Sequence, residues 1–150
     1  RDPSEIPSSL IKKKIPEFTA PLLFEKNNFI STKEFGKQII LVNFFASWCG
    51  PCRVEHKYLQ SLSNDKKIKI IGINYKDSSY QAIKWLKEVG NPYAKVAIDT
   101  SGQIAIDWGV YGIPETFIVN ANKTILYRLA GPITEKKYNE LYSIIKKNTQ

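Results

Sequence analysis

The chain has 150 residues, of which 43% are hydrophobic and 12% aromatic, and this length and composition predict one globular domain with a single core. Its formal net charge is +8, but every basic residue except Arg1, Arg53 and Arg128 is a lysine, and no basic stripe alternates with aromatic residues, which argues against nucleic-acid binding. No stretch approaches the ~18 apolar residues that a membrane-spanning helix requires, and the sequence has no internal repeat.

Residues 1–14 are predicted to be a tether, because they contain prolines, serines and lysines without a sustained apolar period. The chain contains no methionine and begins at Arg1, so we expect a segment that precedes it. Residues 15–150 are predicted to form the domain. Within it, residues 15–31 have the composition of a small hairpin at a sheet edge, and residues 32–35 that of one helical turn.

Three apolar, β-branched runs predict central strands, at residues 39–46, 68–74 and 94–98. Apolar residues at helical spacing follow the first two runs, and they predict one helix that ends near Leu62 and another that ends near Gly90. Strands that alternate with helices imply parallel pairing through right-handed crossovers.

The last third of the chain has a different pattern. A short helical segment is predicted at residues 104–110, followed by strands at residues 116–119 and 124–129 whose connection has a hairpin-turn composition. Thr134 is a suitable N-cap for an amphipathic helix that closes the domain. The predicted fold class is therefore α/β, with a central mixed β-sheet flanked by helices on both faces.

Both cysteines lie in one motif, Cys49-Gly50-Pro51-Cys52, between the first central strand and a helix. In the first turn of a helix, the first thiol lies beside unpaired backbone N–H groups and the positive end of the helix dipole, which favour the thiolate. Cys49 is therefore the predicted nucleophile. Cys52, one helical turn later, can reach the same sulfur and resolve a mixed disulfide.

The same two cysteines could instead hold a metal or form a structural disulfide. A closed zinc site needs about four nitrogen or sulfur ligands, and beyond the two thiols the chain offers a single histidine, His56. A disulfide across so short a loop restricts the unfolded chain little, since the stabilisation grows with loop length. Redox use is therefore the favoured interpretation.

Four stretches carry a more specific signal: FASWCGPCRVEHKYL at residues 45–59, GINYKD at 72–77, IKWLKEVGNPYA at 83–94 and GVYGIPETFIV at 109–119. In them the chain resembles the thioredoxin-like thiol:disulfide interchange proteins of cytochrome c maturation, the CcmG/DsbE family. The resemblance implies a thioredoxin-like fold with an N-terminal hairpin extension and an extra βα insertion. It also implies that the peptide bond before Pro114 is cis and packs against the dithiol.

The resemblance also implies a function and a location. The protein would be a reductase that keeps the haem-attachment cysteines of apocytochrome c reduced, and a membrane thiol-disulfide carrier would return the electrons. It would lie in the periplasm, anchored to the inner membrane by an N-terminal signal anchor that precedes this chain. The resemblance implies no metal and no cofactor other than the redox-active disulfide of Cys49 and Cys52.

Two acids are predicted to act at the site. Asn43 stands where thioredoxin has a buried acid, and because an amide cannot titrate, proton transfer is assigned to Glu55, which matches an active-site glutamate of membrane-tethered reductases. A solvated helix-surface carboxylate is the alternative for Glu55. Glu115 follows Pro114, and both are expected to line the substrate groove. An acid there would oppose formation of the thiolate at Cys49.

Other residues are predicted to contact the substrate. The backbone of Ile113 is expected to pair with an extended peptide as an added strand would, and Trp48 to shield the thiols and contact the peptide. Tyr75 and Asp77 follow the end of a strand and are candidate groove residues, with a structural role in the loop as the alternative. His56 is given no role.

Three other functions remain open. The chain could be a general oxidase or isomerase of the same fold, but Cys-Gly-Pro-Cys is the thioredoxin sequence, with a potential near −270 mV against about −120 mV for the oxidase DsbA, so reduction is favoured. The family more often has other residues between the cysteines. A copper metallochaperone would use Cys49, Cys52 and His56, and a passive module would only hold apocytochrome.

Overall fold

The computed structural model describes residues 10–149; residues 1–9, which belong to the predicted tether, and residue 150 lie outside this range. The described residues form seven strands, one 3-10 turn and four α-helices. In chain order these are β1 Thr19–Pro21, β2 Phe29–Ser31, the 3-10 turn Thr32–Glu34, β3 Ile40–Phe45, α1 Gly50–Ser63, β4 Lys69–Tyr75, α2 Ser79–Val89, β5 Lys95–Asp99, α3 Gln103–Asp107, β6 Glu115–Val119, β7 Ile125–Ala130 and α4 Glu135–Lys147.

The central sheet has five strands in the order β5-β4-β3-β6-β7, and β1 and β2 form a separate antiparallel hairpin. β3, β4 and β5 are parallel, whereas β6 and β7 are antiparallel to their neighbours. The predicted α/β class, the mixed sheet and the N-terminal hairpin are therefore confirmed. No helix between residues 10 and 149 combines the length and the apolar character needed to cross a membrane.

Helices cover the two faces of the sheet unequally. α1, α2 and α4 pack on one face, while α3 and the β1–β2 hairpin pack on the other. The connections from β3 to β4 and from β4 to β5 advance in the same direction across the sheet, so right-handed crossovers place α1 and α2 on the same side. The prediction of helices on both faces is correct, but within residues 10–149 the five-residue α3 is the single α-helix on the second face.

The two ends of the sheet differ in charge. The dithiol end is the end at which β3 stops and α1 begins. The opposite end is built from the starts of β3 and β4, the β6–β7 turn and the last turns of α1 and α4. We call it the basic end, because it holds Lys37, Lys66, Lys67, Lys69, Lys123, Lys146 and Lys147.

The last residues of the predicted tether, residues 1–14, make backbone hydrogen bonds to the domain. The N–H of Lys12 donates to the carbonyl of Ile125 at 2.7 Å, and the N–H of Ile125 donates to the carbonyl of Lys13 at 3.0 Å. β7 is an edge strand, and unpaired backbone groups at an edge favour the addition of another chain segment. The end of the predicted tether is therefore bound to the domain.

Candidate active site

The dithiol lies at the start of α1, where the residues are oxidised to a Cys49–Cys52 disulfide. Cys49 is the N-cap of the helix, and its Sγ accepts a hydrogen bond from the backbone N–H of Cys52 at 3.2 Å. That N–H would support a negative charge on the sulfur once the disulfide is reduced. Cys49 is 4% exposed and Cys52 1%, so attack is restricted to a partner that approaches the Cys49 side.

The segment before β6 meets the dithiol across the end of the sheet. Because β6 runs antiparallel to β3, it starts at the end where β3 stops. The Ile113–Pro114 peptide bond is cis, as the resemblance implied, and the carbonyl oxygen of Ile113 lies 3.8 Å from the Sγ of Cys49. The structure therefore brings together Cys49, Ile113 and Pro114, which are distant in sequence.

Two exposed aromatic side chains lie next to these groups in the chain. Trp48 is 59% exposed, and its indole N–H donates to the carbonyl of Lys76 at 3.0 Å, which fixes the orientation of the ring. Tyr111 is 86% exposed and precedes the Ile113–Pro114 bond by two residues. Large apolar groups that remain exposed beside a reactive atom are suited to contact a partner.

The turn before Cys49 is held from two sides. The Asp77 carboxylate accepts hydrogen bonds from the N–H and the hydroxyl of Ser47, at 2.7 and 2.9 Å, and the Arg53 guanidinium donates twice to the carbonyl of Ser47, at 2.8 and 3.0 Å. Asp77 thus shapes the loop, which is the alternative that the sequence left open. Tyr75 packs with the core cluster on the α3 face, the face away from the dithiol.

Glu55 is buried beneath the dithiol on α1, with no exposed surface. Its two oxygens accept hydrogen bonds from the side-chain amide of Asn43 at 2.9 Å and from the backbone N–H of Ile133 at 3.0 Å. The amide oxygen of Asn43 in turn accepts from the hydroxyl of Tyr93 at 2.8 Å. We call Tyr93, Asn43 and Glu55 the buried polar chain. The interpretation of Glu55 as a solvated surface acid is wrong.

The burial of Glu55 changes its acidity. Desolvation raises the pKa of Glu55 from 4.5 to about 7, although the hydrogen bonds from Ile133 and Asn43 act in the opposite direction. A carboxyl group that titrates near neutral pH can both accept a proton and return it under the same conditions. Glu55 follows Cys52 by three residues on α1, which is about one helical turn.

Glu115 is not a free acid at the groove, contrary to expectation. It is 2% exposed, and its carboxylate accepts from the Arg128 guanidinium at 2.8 Å and from the backbone N–H of Tyr111 at 3.2 Å. Arg128 also donates to the carbonyl of Gly109. Burial raises the pKa of Glu115, and Arg128 opposes this effect. The pair therefore anchors the loop before Ile113, and its opposite charges largely cancel.

Replacing Arg128 with methionine is expected to destabilise the protein by about 3–5 kcal/mol at pH 7, because Glu115 would be left buried without its partner. The loss should be smaller at pH 5, since burial raises the pKa of Glu115 and favours its neutral form. Urea unfolding at pH 7 and pH 5 measures this loss of stability. The double variant Arg128→Met, Glu115→Gln is the control, and equal losses in the single and double variants would contradict this explanation.

His56 is held by the contact between α1 and α2. Its Nε2 lies 2.7 Å from the carbonyl oxygen of Gly90, and its ring packs against Trp85 with 4.8 Å between centroids. Burial lowers the pKa of His56. Between residues 10 and 149, no group of three or more His, Cys, Asp or Glu side chains is arranged to hold a metal ion.

Arg53, Arg128, Tyr93 and Tyr111 were not identified as site residues from the sequence. The sequence did contain a signal for Arg53 and Arg128, because arginine is rare in this chain. Three of the 22 basic residues are arginines. The planar guanidinium can make several directed hydrogen bonds at once, which lysine cannot. Both Arg53 and Arg128 use it in this way, each to hold a segment beside the dithiol.

Comparisons with known proteins agree with this geometry. The protein family described as Redoxin matches residues 11–145. The chain is 52% identical over 103 residues to the thiol:disulfide interchange protein CycY of Rhizobium leguminosarum bv. viciae, a match that covers 69% of this chain and 55% of CycY. It is 43% identical over 141 residues to the thiol:disulfide interchange protein DsbE of Escherichia coli (strain K12), covering 93% of this chain and 75% of DsbE.

The fold is also found in solved structures. The crystal structure of a DsbF homologue from Corynebacterium diphtheriae superposes on this chain with a TM-score of 0.81, covering 98% of this chain and 96% of the homologue. The two chains are 22% identical, so this likeness concerns the fold alone.

Proposed function

Since this chain belongs to the Redoxin family and is a thiol-disulfide oxidoreductase, we propose that it reduces disulfides at the haem-attachment Cys-X-X-Cys-His segments of apocytochrome c. A membrane thiol-disulfide carrier then returns two electrons to the Cys49–Cys52 disulfide of this protein. In this proposal the protein acts in the periplasm, and a segment before the domain anchors it to the inner membrane.

The observation that carries the proposal is the position of Cys49 beside the Ile113 carbonyl, 3.8 Å away, with the exposed rings of Trp48 and Tyr111 close by in the chain. A backbone carbonyl next to the reactive sulfur offers an extended peptide a hydrogen-bonding partner, as in strand addition. The aromatic rings add apolar contacts. Trp48, Ile113 and Pro114 are thus proposed to bind the substrate, while Glu115 supports their loop through Arg128.

The proposed reaction has two exchanges. The Cys49 thiolate attacks one sulfur of the substrate disulfide, so a mixed disulfide forms and the second substrate sulfur leaves as a thiolate that takes up a proton. Cys52 then loses its proton to Glu55, directly or through a water molecule, and attacks the Sγ of Cys49. The substrate is released with both sulfurs reduced. The enzyme is left with the Cys49–Cys52 disulfide seen in the structure.

The direction of the reaction is tested by the reduction potential. Equilibration of the protein with glutathione is expected to give a value more negative than about −180 mV, the level of protein disulfide isomerase, because Cys-Gly-Pro-Cys is the thioredoxin sequence. A less negative value would contradict a reducing role and favour an oxidase or isomerase.

The substrate class is tested with an oxidised Cys-X-X-Cys-His peptide and a matched peptide in which the two cysteines are separated by a longer loop. The reduced protein is expected to reduce the first peptide faster. Equal rates would contradict the proposed substrate but not the reductase activity.

A further inference from the structure

We propose that Tyr93 and Asn43 are positioning residues for Glu55: the Tyr93 hydroxyl holds the Asn43 side-chain amide with its nitrogen toward the Glu55 carboxyl, and so sets the pH at which that carboxyl takes up a proton. The catalytic consequence rests on the proposed role of Glu55 in the release of substrate. The positioning of Glu55 itself depends only on the buried polar chain.

The side-chain amide of Asn43 has a donor end and an acceptor end. The nitrogen donates to Glu55 at 2.9 Å and to the hydroxyl of Thr116 at 3.1 Å, while the oxygen accepts from Tyr93 at 2.8 Å. A Thr hydroxyl can donate or accept, so Thr116 fits either orientation of the amide. The hydrogen bonds to Glu55 and Tyr93 therefore determine which way the Asn43 amide points.

The buried Tyr93 hydroxyl favours one orientation because its proton needs an acceptor. Among the described residues, the acceptor of this proton is the side-chain oxygen of Asn43. If the amide of Asn43 were reversed, its nitrogen would face the tyrosine, and the Tyr93 proton would be buried without a partner. Burial and the Glu55 charge raise the pKa of Tyr93 well above 10, so the hydroxyl keeps this proton.

The ring that carries this hydroxyl is fixed by packing. It stacks on Phe45 with 4.7 Å between centroids and an interplanar angle of 22°. Gly72 on β4 makes room for both rings, because a Cβ there would lie 2.9 Å from an atom of each. The backbone N–H of Tyr93 donates to the side chain of Asn91 at 2.9 Å. The hydroxyl position is thus set by groups outside the buried polar chain.

This arrangement favours the ionised form of Glu55. A carboxylate gains more than a neutral carboxyl from an N–H donor, so an amide held with its nitrogen toward Glu55 makes the proton easier to lose. If Tyr93 lost its hydroxyl, the amide of Asn43 could reverse and present an oxygen to Glu55. The carboxyl would then bind its proton more tightly.

The test is Tyr93→Phe, which keeps the ring that packs against Phe45 and removes one oxygen. The Glu55 carboxyl is titrated by NMR in the oxidised protein, and its pKa is expected to rise by about one unit, a tenfold tighter hold on the proton. Tyr58→Phe is the matched control, because Tyr58 lies on α1 outside the buried polar chain. An unchanged titration in Tyr93→Phe would overturn the inference.

A double variant tests whether Tyr93 acts on Glu55 through Asn43 or acts on it directly. Asn43→Leu removes the amide, so it should raise the pKa of Glu55, and Tyr93→Phe added to it should cause no further change. A further change of similar size would show that Tyr93 acts without Asn43, and would overturn the inference.

Kinetics distinguishes failure of this inference from failure of the proposed function. The pH dependence of substrate release is expected to move with the NMR titration in Tyr93→Phe. If the titration moves and the rate profile does not, Tyr93 positions Glu55 as inferred, but Glu55 is not the proton acceptor in the proposed reaction.

Discussion

Replacing Cys52 with serine is expected to stop the reaction after its first exchange and to leave the substrate covalently bound to Cys49. The Sγ of Cys49 lies beside the Ile113 carbonyl at the helix start, whereas Cys52 is 1% exposed and can reach only its partner sulfur. Without the second thiol no group resolves the mixed disulfide, so turnover should fall by at least roughly a hundredfold. Non-reducing electrophoresis and mass spectrometry detect the complex.

Cys49→Ser is the matched control for this experiment, since it leaves a thiol only at the buried position. It is expected to form no complex with the same oxidised peptide. A stable complex in Cys49→Ser, together with none in Cys52→Ser, would reverse the assigned roles. Trp48→Ala in the Cys52→Ser background should slow complex formation without preventing it, because in the proposed function Trp48 contacts the peptide and takes no part in the exchange of sulfurs.

Replacing Glu55 with glutamine is expected to stabilise the protein at high pH. The folded state raises the pKa of Glu55 to about 7 from 4.5, so between these values the folded chain holds a proton that the unfolded chain has released. The stability that this proton contributes is complete below about pH 4.5 and is lost as the pH rises through about 7. At pH 8 the variant should therefore exceed the parent by about 3 kcal/mol, the free-energy equivalent of a pKa that moves from 4.5 to about 7.

Urea unfolding at pH 8 and pH 3.5 measures this effect. The advantage of Glu55→Gln should disappear at pH 3.5, where the parent carboxyl is almost entirely neutral in both the folded and the unfolded state. The exposed Glu88, changed to glutamine, is the control and is expected to alter stability little at either pH. An advantage of Glu55→Gln that is the same at both pH values would mean that charge burial is not its cause.

The same Glu55→Gln variant should be slower as an enzyme. If Glu55 accepts the proton of Cys52, removing it is expected to slow substrate release at pH 7 by roughly a hundredfold, the lower range for general acid-base catalysis. A residue that only supported the fold would not lower the rate while raising the stability.

Local patterns predicted the parts of the fold that depend on neighbouring residues. The β-branched runs gave β3, β4 and β5 to within about two residues, and the position of Cys49 at a helix start followed from the motif itself. The spacing of Glu55 from Cys52 placed both on one helix but could not decide whether Glu55 was buried, because an acid on a helix is usually exposed.

The contacts that sequence reasoning missed join residues that are far apart in the chain. Arg128 on β7 pairs with Glu115 on β6, and Tyr93, in the loop between α2 and β5, donates a hydrogen bond to Asn43 on β3. Such pairs depend on the register and the packing of the finished sheet, and no period of the sequence encodes them. Lys12 beside Ile125 is a similar case, since a composition typical of a linker does not reveal that an edge strand is available.

The basic end has a consequence for the effect of salt. β3 has six residues and spans roughly 20 Å, which separates Lys37 and the other lysines of that end from Cys49 by more than the Debye length of about 8 Å at physiological ionic strength. Those lysines therefore contribute little to the charge state of the sulfur. A group of like charges at one end is expected to orient the whole molecule as it approaches a charged body, so added salt should change the frequency of encounters and leave the exchange of sulfurs nearly unaffected.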